Sequence, residues 1–456
     1  MPNLNVVILA AGKGTRMHSD LPKVLHEVGA MPILGHVLAC AKALNPSKII
    51  VVYGYGGEIV KQRFADDSII WVKQAEQLGT GHAVQQALPH LDADASTLIL
   101  LGDVPLVAST ACQKLINQAS DQLAILSFIK TDPSGYGRIV RDGSGQVSAI
   151  VEHKDASDQQ RQIKEVNTGM MAMPNGRLVQ WLATLTNNNA QGEYYLTDIV
   201  ALAVQQGVPV VAEITEDEWS VTGINAKSDL AQIERIYQQR YAQQLLQQGV
   251  TLKDPNRIDV RGDLQCGRDV EIDVNCLFEG QVQLGDGVKI APNCVIKNAV
   301  IAAGTQIAAF THIDDAQIGV EARIGPFARI RPGTTLADHT HVGNFVELKN
   351  AQVGSTSKIN HLSYVGDATV GKNVNVGAGT ITCNYDGANK FRTVIEDDVF
   401  IGSDTQLVAP ITLGKGATIA AGSTITKDAP AGQLTFCRAK DQKSISGWKR
   451  PVKIKK

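Results

Sequence analysis

The stretch IEDDVFIGSDTQLVAPITLGKGATIAAGSTI, residues 395–425, carries an aliphatic residue at every sixth position. Two earlier stretches, 272–296 and 318–348, keep the same period with aliphatic residues and one phenylalanine. Neither an α-helix, with 3.6 residues per turn, nor a strand, with its period of two, sustains a six-residue period over such a length. The pattern predicts a parallel β-helix, a triangular prism in which each side sends one such residue to the axis.

The composition limits the class of protein. The chain has 456 residues, more than one hydrophobic core usually supports, so we expect two domains. A formal net charge of −2 argues against binding of nucleic acid or another polyanion. Seven scattered cysteines without a C-x-x-C pair favour reduced thiols in a cytoplasmic protein over disulfides or a zinc site. The N-terminus lacks the features of a signal peptide and no segment could span a bilayer, so we expect no membrane insertion.

Three segments differ in their sequence pattern. Up to about residue 226, short apolar runs alternate with amphipathic stretches, which predicts an α/β domain with a mostly parallel, Rossmann-like sheet. Residues 227–248 carry apolar side chains at helical spacing and predict a long connecting helix of roughly 30 Å. The six-residue repeats follow. The expected divisions are therefore 1–226, 227–248 and 249–456.

A glycine-rich turn follows the first apolar run. The motif LAAGKGTRM, residues 9–17, is followed by Pro22 and Lys23. At the carboxyl end of a strand, such a turn lets backbone N–H groups approach a phosphate without a Cβ in the way. Arg16 and Lys23 would add positive charge for a transferring phosphoryl group. The turn matches neither a dinucleotide fingerprint nor a P-loop, so by itself it indicates either a phosphate contact or a tight turn.

Several motifs together resemble a known family. The pattern L-x-x-G-x-G-T-R-M…P-K is similar to the signature of the sugar-nucleotide pyrophosphorylases. The whole chain resembles the bifunctional bacterial enzymes that join such a domain to a hexapeptide-repeat acyltransferase. Single motifs are weakly specific, but this set in this order is highly specific. In chain order the motifs are QAEQLGTGH (74–82), GDVPL (102–106), GYGR (135–138), VE (151–152), NTG (167–169), GEYYLTD (192–198), GNFVE (343–347), HLSYVGD (361–367) and NYDG (384–387).

The resemblance implies two consecutive reactions. The C-terminal half would N-acetylate glucosamine-1-phosphate with acetyl-CoA. The N-terminal half would then transfer uridylyl from UTP to N-acetylglucosamine-1-phosphate, giving UDP-N-acetylglucosamine and pyrophosphate for cell-wall and lipopolysaccharide synthesis. It also implies Mg²⁺, a left-handed β-helix and a homotrimer. Two alternatives stay open: nucleotidyl transfer alone, with the β-helix serving assembly or regulation, and a β-helix that is a structural or protein-binding rod.

The resemblance also implies roles for residues of the N-terminal half. Arg16 and Lys23 would be catalytic, and Asp103 and Asn225 would hold Mg²⁺, a hard cation that takes oxygen ligands. Related sequences often carry Tyr at the position of Leu101, so any ring contact from that position to the ligand is lost, whereas we expect backbone contacts from Leu101 and Gly102 to survive. Three of the expected ligands, Gly137, Glu152 and Asn167, would hold the sugar. The full set for UTP and UDP-N-acetylglucosamine is Leu9, Ala10, Ala11, Gly12, Lys23, Gln74, Gly79, Thr80, Leu101, Gly102, Asp103, Gly137, Glu152, Asn167 and Asn225.

In the C-terminal half the resemblance implies that His361 accepts the proton of the amine. A histidine in a β-helix is more often structural, so this role depends on the family match. The insertion 382–392 breaks the period and is expected to build a site shared with a neighbouring subunit. The basic tail, 449–456, is either a solvated terminus or a contact for an anionic ligand or partner. The expected sugar-phosphate contacts are Arg331, Lys349, Tyr364, Asn375 and Lys390. The expected acetyl-CoA contacts are Ala378, Asn384, Tyr385, Ser403, Ala421 and Arg438.

Overall fold

The fold is taken from a computed structural model that describes residues 3–54 and 56–438. The chain divides into two compact units after Tyr237, and this division falls within the segment 227–248. Within the described ranges, no helix is both long enough and apolar enough to cross a membrane. The basic tail, for which two interpretations were open, lies outside the described residues.

The first unit is built on a nine-stranded mixed sheet with helices. Its α-helices are α1 (Ile33–Ala43), α2 (Gly57–Arg63), α3 (Thr80–Ala87), α4 (Ser109–Gln118), α5 (Asp158–Arg161), α6 (Asn175–Thr184), α7 (Asp198–Gln205) and the first part of α8 (Lys227–Gln247). Its strands are β1 (Leu4–Ala10), β2 (Glu27–Val28), β3 (Met31–Pro32), β4 (Lys48–Tyr53), β5 (Ile69–Lys73), β6 (Ser96–Leu101), β7 (Leu123–Ile129), β8 (Arg138–Arg141), β9 (Val147–Val151), β10 (Glu165–Pro174) and β11 (Val210–Thr215). The short β2 and β3 form a separate hairpin. The sheet runs β11-β7-β10-β6-β1-β4-β5, with β8 and β9 attached beside β10.

The centre of this sheet is parallel and fully covered. Strand β1 pairs in parallel with β4 on one side and β6 on the other. Its residues Val6, Val7 and Ile8 are completely buried, because helices cover both faces of the sheet. The loops that follow these parallel strands emerge at one edge, which is where α/β folds bind their ligands. The predicted α/β class is confirmed.

Helix α8 is held by each unit along a different part of its length. At its start, Asp229 accepts the backbone N–H groups of Asn225 and Ala226, which caps the helix. Its second half belongs to the β-helix unit. There the side chain of Gln238 donates to the carbonyl of Val260 and accepts that residue's N–H, at 2.9 and 2.8 Å. The helix is therefore an integral part of the core of the second unit as well as the end of the first.

The second unit is a stack of parallel strands with three faces, the arrangement of a left-handed parallel β-helix. Every residue of the three sequence runs points into one continuous core, and none is more than 4% exposed. The strands are β12 (Thr251–Leu252), β13 (Ile258–Cys266), β14 (Glu271–Ile272), β15 (Cys276–Leu284), β16 (Lys289–Ile290), β17 (Val295–Ile301), β18 (Gln306–Ile307), β19 (His312–Ile318), β20 (Arg323–Ile324), β21 (Arg329–Ile330), β22 (Thr334–Leu336), β23 (His341–Asn344), β24 (Glu347–Lys349), β25 (Gln352–Val353), β26 (Lys358–His361), β27 (Tyr364–Gly366), β28 (Ala368–Val370), β29 (Asn375–Val376), β30 (Ile381–Cys383), β31 (Thr393–Ile395), β32 (Phe400–Ile401), β33 (Gln406–Val408), β34 (Ile411–Leu413), β35 (Thr418–Ile419), β36 (Thr424–Ile425) and β37 (Leu434–Thr435). The predicted β-helix is confirmed.

Between Ile272 and Ile419, successive coils are 17 or 18 residues long, with one exception. Ile290 lies over Ile272, and Ile307 lies over Ile290. Val370, in contrast, pairs with Ile395, 25 residues later. The extra residues form the insertion that the sequence predicts, and they leave the stack between β30 and β31 without disturbing the coils on either side.

One corner of the prism carries an exposed apolar ridge. Phe310, Phe327, Phe345 and Leu362 occupy the same corner on four successive coils, and their side chains are 46–64% exposed. The first three rings stack, with centroids 4.9 and 5.2 Å apart. All four residues have φ between 49° and 60°. This left-handed conformation costs a residue with a Cβ roughly 1–2 kcal/mol, and it suits Asn or Gly much better.

Candidate active sites

A cavity of about 310 Å³ opens at the carboxyl ends of β1 and β6 in the first unit. Ten of its lining residues were expected from the sequence: Leu9, Ala10, Ala11, Gly12, Lys23, Gln74, Gly79, Thr80, Leu101 and Asp103. Four were not: Val24, Gln77, Ala83 and Glu193. Gln77 and Glu193 lie within the motifs QAEQLGTGH and GEYYLTD, which carry the family resemblance, so their position in these motifs is a signal present in the sequence. Gly102 stands behind the lining, where its N–H donates to the carbonyl of Leu9.

The conformation of Gly14 in the glycine-rich turn allows Lys23 to pack against the turn. Gly14 has φ +60°, and a Cβ there would stand 2.7 Å from the Cβ of Lys23. Only glycine fits both constraints, and its presence lets Lys23 lie against the turn. A Cβ on Gly12 would meet no atom within 4 Å, so this part of the turn faces open space. Arg16 lies in the short 3₁₀ helix Thr15–Met17 and is exposed.

Lys23 joins the two residues expected to hold the metal. Its Nζ lies 2.5 Å from Asp103 Oδ2 and 3.4 Å from Asn225 Oδ1. Asp103 follows β6, and its carbonyl accepts the N–H of Ile224. The structure thus brings together a carboxylate and an amide oxygen from positions more than 120 residues apart, with a cation between them.

A buried glutamine shapes one wall of the cavity. The side chain of Gln74 is almost fully buried, and its amide donates to the carbonyl of Gly79 at 3.1 Å and lies 3.1 Å from His82 Nδ1. Gly79 has φ +112°, and a Cβ there would collide with the carbonyl of Tyr194. The segment after β5 and the segment before α7 are therefore packed closely, which fixes this wall.

The three residues expected to hold the sugar form a second cluster beside the strands β8–β10. Asn167 donates its N–H to the carbonyl of Gly137, and a Cβ on Gly137 would stand 3.3 Å from Glu152 Oε1. Thr197 donates its hydroxyl to the same carboxylate oxygen at 3.1 Å. Burial raises the pKa of Glu152, and nearby carboxylates, including that of Glu193, act in the same direction. None of the three sugar residues lines the 310 Å³ cavity, but Glu193 lies next to both places.

On one face of the β-helix, a column of outward side chains changes its charge pattern at the expected sugar-phosphate residues. Along the stack, positively and negatively charged side chains alternate, and opposite charges on neighbouring strands stabilise the pairing of the strands. The alternation stops where Arg331 is followed by Lys349, one coil further on, and then by Gly366. The column reads Arg261, Glu279, Lys297, Asp314, Arg331, Lys349.

The insertion brings a further cation to this break in the pattern. Lys390 contacts Lys349 and lowers the pKa of its ammonium group, and Arg331 adds to this effect. Arg331 Nη1 donates to Glu347 Oε1 at 2.6 Å. The hydroxyl of Tyr364 fills the space where a Cβ on Gly366 would stand. Clustered like charges of this kind suit an anion such as a phosphate.

Three of the six expected acetyl-CoA residues, Ala378, Ser403 and Ala421, line up along the corner that carries the apolar ridge. Because Ile359 pairs with Val376, Val376 with Ile401 and Ile401 with Ile419, the residues two positions later stand at one level of the corner on successive coils. At the end of this corner, Arg438 Nη1 donates to Ser423 Oγ at 2.9 Å. Beyond His361 the side chains of this column are small, and Ser403 and Ala421 are exposed. This column is His361, Ala378, Ser403 and Ala421.

His361 is exposed at the start of this column. Its Nδ1 lies 2.9 Å from Oδ1 of Asn344, the residue that it faces across β23 and β26. Asn375 lies on the same face, whereas Tyr364 lies beyond the corner at Leu362. Asn344 is not among the site residues expected from the sequence, although the motif GNFVE contains it.

The insertion folds as a small hairpin beside these residues. Tyr385 pairs with Lys390 in an antiparallel bridge, and the side chain of Tyr385 is 60% exposed. Asn384 is buried and donates its amide to Asp367 Oδ2 at 2.5 Å. No group of three or more His, Cys, Asp or Glu side chains suited to a metal occurs in residues 3–54 and 56–438.

Three protein-family profiles match the chain. A MobA-like NTP transferase domain matches residues 6–167, a GMPPB C-terminal domain matches residues 260–353, and the bacterial transferase hexapeptide repeat matches residues 392–427. The first profile lies within the unit that holds the cavity. The third covers the coils that follow the insertion.

Curated relatives match nearly the whole chain. The "Bifunctional protein GlmU" of Methylobacillus flagellatus is 66% identical over 99% of this chain and 98% of its own length. The proteins of the same name from Cupriavidus pinatubonensis and Chromobacterium violaceum are 58% and 56% identical, over 99% of both chains in each case.

Proposed function

Since the chain belongs to the family of bifunctional GlmU proteins, we propose how its two halves divide the two reactions of that family. The protein is a bifunctional uridyltransferase and acetyltransferase of UDP-N-acetylglucosamine synthesis, with nucleotide and acetyl-CoA as substrates. The assignment of residues to each reaction is our proposal.

We assign uridylyl transfer to the first unit, with UTP in the 310 Å³ cavity and the sugar at Gly137, Glu152 and Asn167. The sugar phosphate is already an anion and needs no general base. Its oxygen forms a bond to the α-phosphorus of UTP while the bond to pyrophosphate breaks in line. The protein's task is to position the groups and neutralise charge, which suits the cations Arg16 and Lys23.

We assign Mg²⁺ to Asp103 and Asn225. The observation in favour is the ammonium of Lys23, which already places a positive charge between their two oxygens. One carboxylate and one amide oxygen are few for a fully protein-held ion, but they suit Mg²⁺, which keeps waters and takes further ligands from phosphates. When bound, the ion supplies positive charge for the leaving pyrophosphate.

We assign acetyl transfer to the second unit. The single observation that carries this assignment is the position of His361 at the start of the corner column, one coil after Lys349, the last cation of the charged column. The amine of glucosamine-1-phosphate attacks the thioester carbonyl, so a C–N bond forms and the C–S bond breaks. His361 Nε2 accepts the proton of the amine and returns it to the departing thiolate. Arg331, Lys349, Tyr364, Asn375 and Lys390 hold the sugar phosphate, and Ala378, Asn384, Tyr385, Ser403, Ala421 and Arg438 hold acetyl-CoA.

The purified protein should be assayed for both half-reactions with varied sugar phosphates, nucleotides and acyl donors. We expect both activities in one chain. If uridylyl transfer occurs without acetyl transfer, the β-helix serves assembly or regulation. Calorimetry separates the remaining alternative, because a purely structural rod would not bind acetyl-CoA.

We also propose that the second unit forms a homotrimer, with the apolar ridge in the contact between copies. Each ridge residue is exposed and held in a left-handed conformation that an aromatic side chain disfavours, which is unfavourable on both counts for an isolated chain. A second copy has the same spacing between its coils and can therefore match the ridge coil by coil. The ridge ends at Leu362, directly after His361, so a neighbouring copy seated there would wall the acetyl site.

Replacing Phe327 by Asn tests the ridge, because Asn tolerates positive φ and the coil should keep its shape. We expect the mass in analytical ultracentrifugation to fall from that of a trimer towards that of a monomer, without loss of thermal stability of the chain itself. Phe400→Asn, at an equally exposed position outside the ridge, is the control. A trimer that survives Phe327→Asn and Phe345→Asn together contradicts the proposal.

The cytoplasmic location stays a prediction, as does the absence of nucleic acid among the partners. Cell fractionation tests the first, and a shift assay with duplex DNA and with RNA tests the second.

A further inference from the structure

Asn344 forms a hydrogen bond with His361 but is not one of the residues proposed to bind a substrate or to act as a base. The two residues end neighbouring strands, β23 and β26, and face each other in register. The amide oxygen of Asn344 lies 2.9 Å from Nδ1 of the ring. An amide oxygen can only accept, so Nδ1 carries the hydrogen and donates it. In the neutral ring this leaves the lone pair on Nε2, the nitrogen that a proton acceptor needs.

We propose that Asn344 is a positioning residue for acetyl transfer, which fixes the tautomer and the orientation of His361. The inference depends on the proposed acetyltransferase role of His361. An exposed imidazole on a strand end can otherwise rotate about its side-chain bonds and can carry its hydrogen on either nitrogen. A partner on the neighbouring strand removes both freedoms before the substrate binds.

The chemical nature of the partner matters as much as its position. The surroundings of the ring are rich in basic side chains: His341 lies on the strand of Asn344, and Lys358 begins the strand of His361. Burial, Arg323 and Lys358 lower the pKa of His341, and the charge of His361 adds to this. A carboxylate at position 344 would stabilise the protonated ring, which must then give its proton to the thiolate. A neutral amide orients the ring without that stabilisation.

Two substitutions of Asn344 separate orientation from other effects. Asn344→Leu keeps the approximate size and removes the acceptor. We expect kcat of acetyl transfer to fall roughly ten- to a hundredfold, with the KM for glucosamine-1-phosphate changed less than about threefold. Asn344→Asp keeps an acceptor and adds a charge. Its kcat should be much higher than that of Asn344→Leu. The acidic limb of its pH profile should lie about one pH unit above that of the unchanged protein, since an opposite charge favours the protonated ring.

Gln352→Leu is the matched control. Gln352 also donates a side-chain hydrogen bond to the preceding coil, to the carbonyl of Gly333, but on another face of the β-helix. Its loss should leave kcat and the pH profile unchanged, and the melting temperatures of the control and of Asn344→Leu should agree within a few degrees.

Three results would overturn the inference. One is a normal kcat in Asn344→Leu. Another is a loss that appears only in KM, which would make Asn344 a substrate contact. The third is an Asn344→Asp variant whose pH profile matches that of the unchanged protein. Failure of the proposed function looks different, because then the unchanged protein lacks acetyl transfer or His361→Ala retains it.

Discussion

The two candidate sites are assembled in different ways. In the first unit, residues from the ends of several strands and their loops meet at one sheet edge, so that Lys23, Asp103 and Asn225 come together from distant parts of the chain. In the second unit, residues of the acetyl site repeat at intervals of about one coil along one corner, as with His361 and Ala378. The first arrangement encloses a cavity within one unit, and the second places its residues along an exposed corner of the β-helix.

The two arrangements differ in how far each site depends on assembly of several chains. A cavity closed by its own sheet and loops needs no other copy of the chain. A site along an exposed corner of a repeating rod gains a second wall only from another molecule. We therefore expect uridylyl transfer to be independent of the oligomeric state, and acetyl transfer to depend on it.

The largest expected effect tests whether the two sites are chemically independent. His361→Ala should lower acetyl transfer at least about a hundredfold, because a positioned base contributes roughly 10²–10⁴-fold. Uridylyl transfer in the same sample should be unchanged and serves as the control. Steady-state assays of both half-reactions measure this. A raised KM for the sugar phosphate with intact turnover would make His361 a binding contact instead.

The reciprocal change acts on the cavity. Asp103→Asn should lower uridylyl transfer by about ten- to a hundredfold, because the metal site loses its only carboxylate and the charge on pyrophosphate is less well neutralised. A titration with Mg²⁺ should show weaker activation. Acetyl transfer should not change. Near-normal uridylyl transfer at saturating Mg²⁺ would remove Asp103 from the site.

Arg16→Ala refines the same comparison. Since the guanidinium would act on charge in the transition state, turnover should fall by about tenfold or more, and substrate affinity should change less. Pre-steady-state measurement of nucleotide binding and of product formation separates the two effects. Weaker UTP binding at unchanged turnover would show that Arg16 is a ground-state contact.

The limits of the second unit can be tested with two fragments. One fragment begins at Lys227 and keeps all of α8, and the other begins at Gly249. The second lacks Gln238, whose two hydrogen bonds tie the helix to Val260, and it lacks the buried Leu245. Its melting temperature should be roughly 5–10 °C lower by calorimetry. Equal melting temperatures would mean that the helix contributes nothing to the β-helix.

The smallest expected effect is on thermal stability, because the buried carboxylate of Glu152 in the sugar cluster destabilises the fold. Burial raises the pKa of Glu152, so its charged form at neutral pH is less favourable in the fold than in the unfolded chain. Glu152→Gln should therefore raise the melting temperature by about 1–3 °C at pH 7.5 while it weakens uridylyl transfer. The gain should shrink as the pH falls through the raised pKa, because the protonated carboxyl no longer carries the charge. Glu216→Gln, at an exposed position, should change neither quantity.

The sequence predicts local and periodic features well. The six-residue period identifies the core residues of the β-helix, and the motif at 9–17 predicts part of the cavity wall. The role of Leu101 is only half visible in sequence: it replaces an expected Tyr, and in the fold it lines the cavity beside Gly169.

What the sequence hides are the relations between distant positions. The consecutive cations Arg331 and Lys349 become neighbours only when the length of a coil is known. The pairing of Asn344 with His361 depends on the same register. The apolar ridge is not predictable from the sequence for another reason: a Phe residue gives no indication that its backbone is in the left-handed conformation. In each case the missing quantity is a register or a dihedral angle that only the folded chain defines.

The 25-residue coil has a consequence for how this architecture can change. The stack returns to its normal register at once, since Ile395 lies over Val370 and Leu413 over Ile395. A coil contacts only the coils above and below it, so extra residues at a corner do not change the structure of the other coils. The height at which a hairpin such as 384–392 emerges is thus free to vary during evolution, and with it the place along the rod where a ligand is met. In a repeating scaffold, the core residues that determine the fold are therefore different from the inserted residues that determine the position of a ligand site.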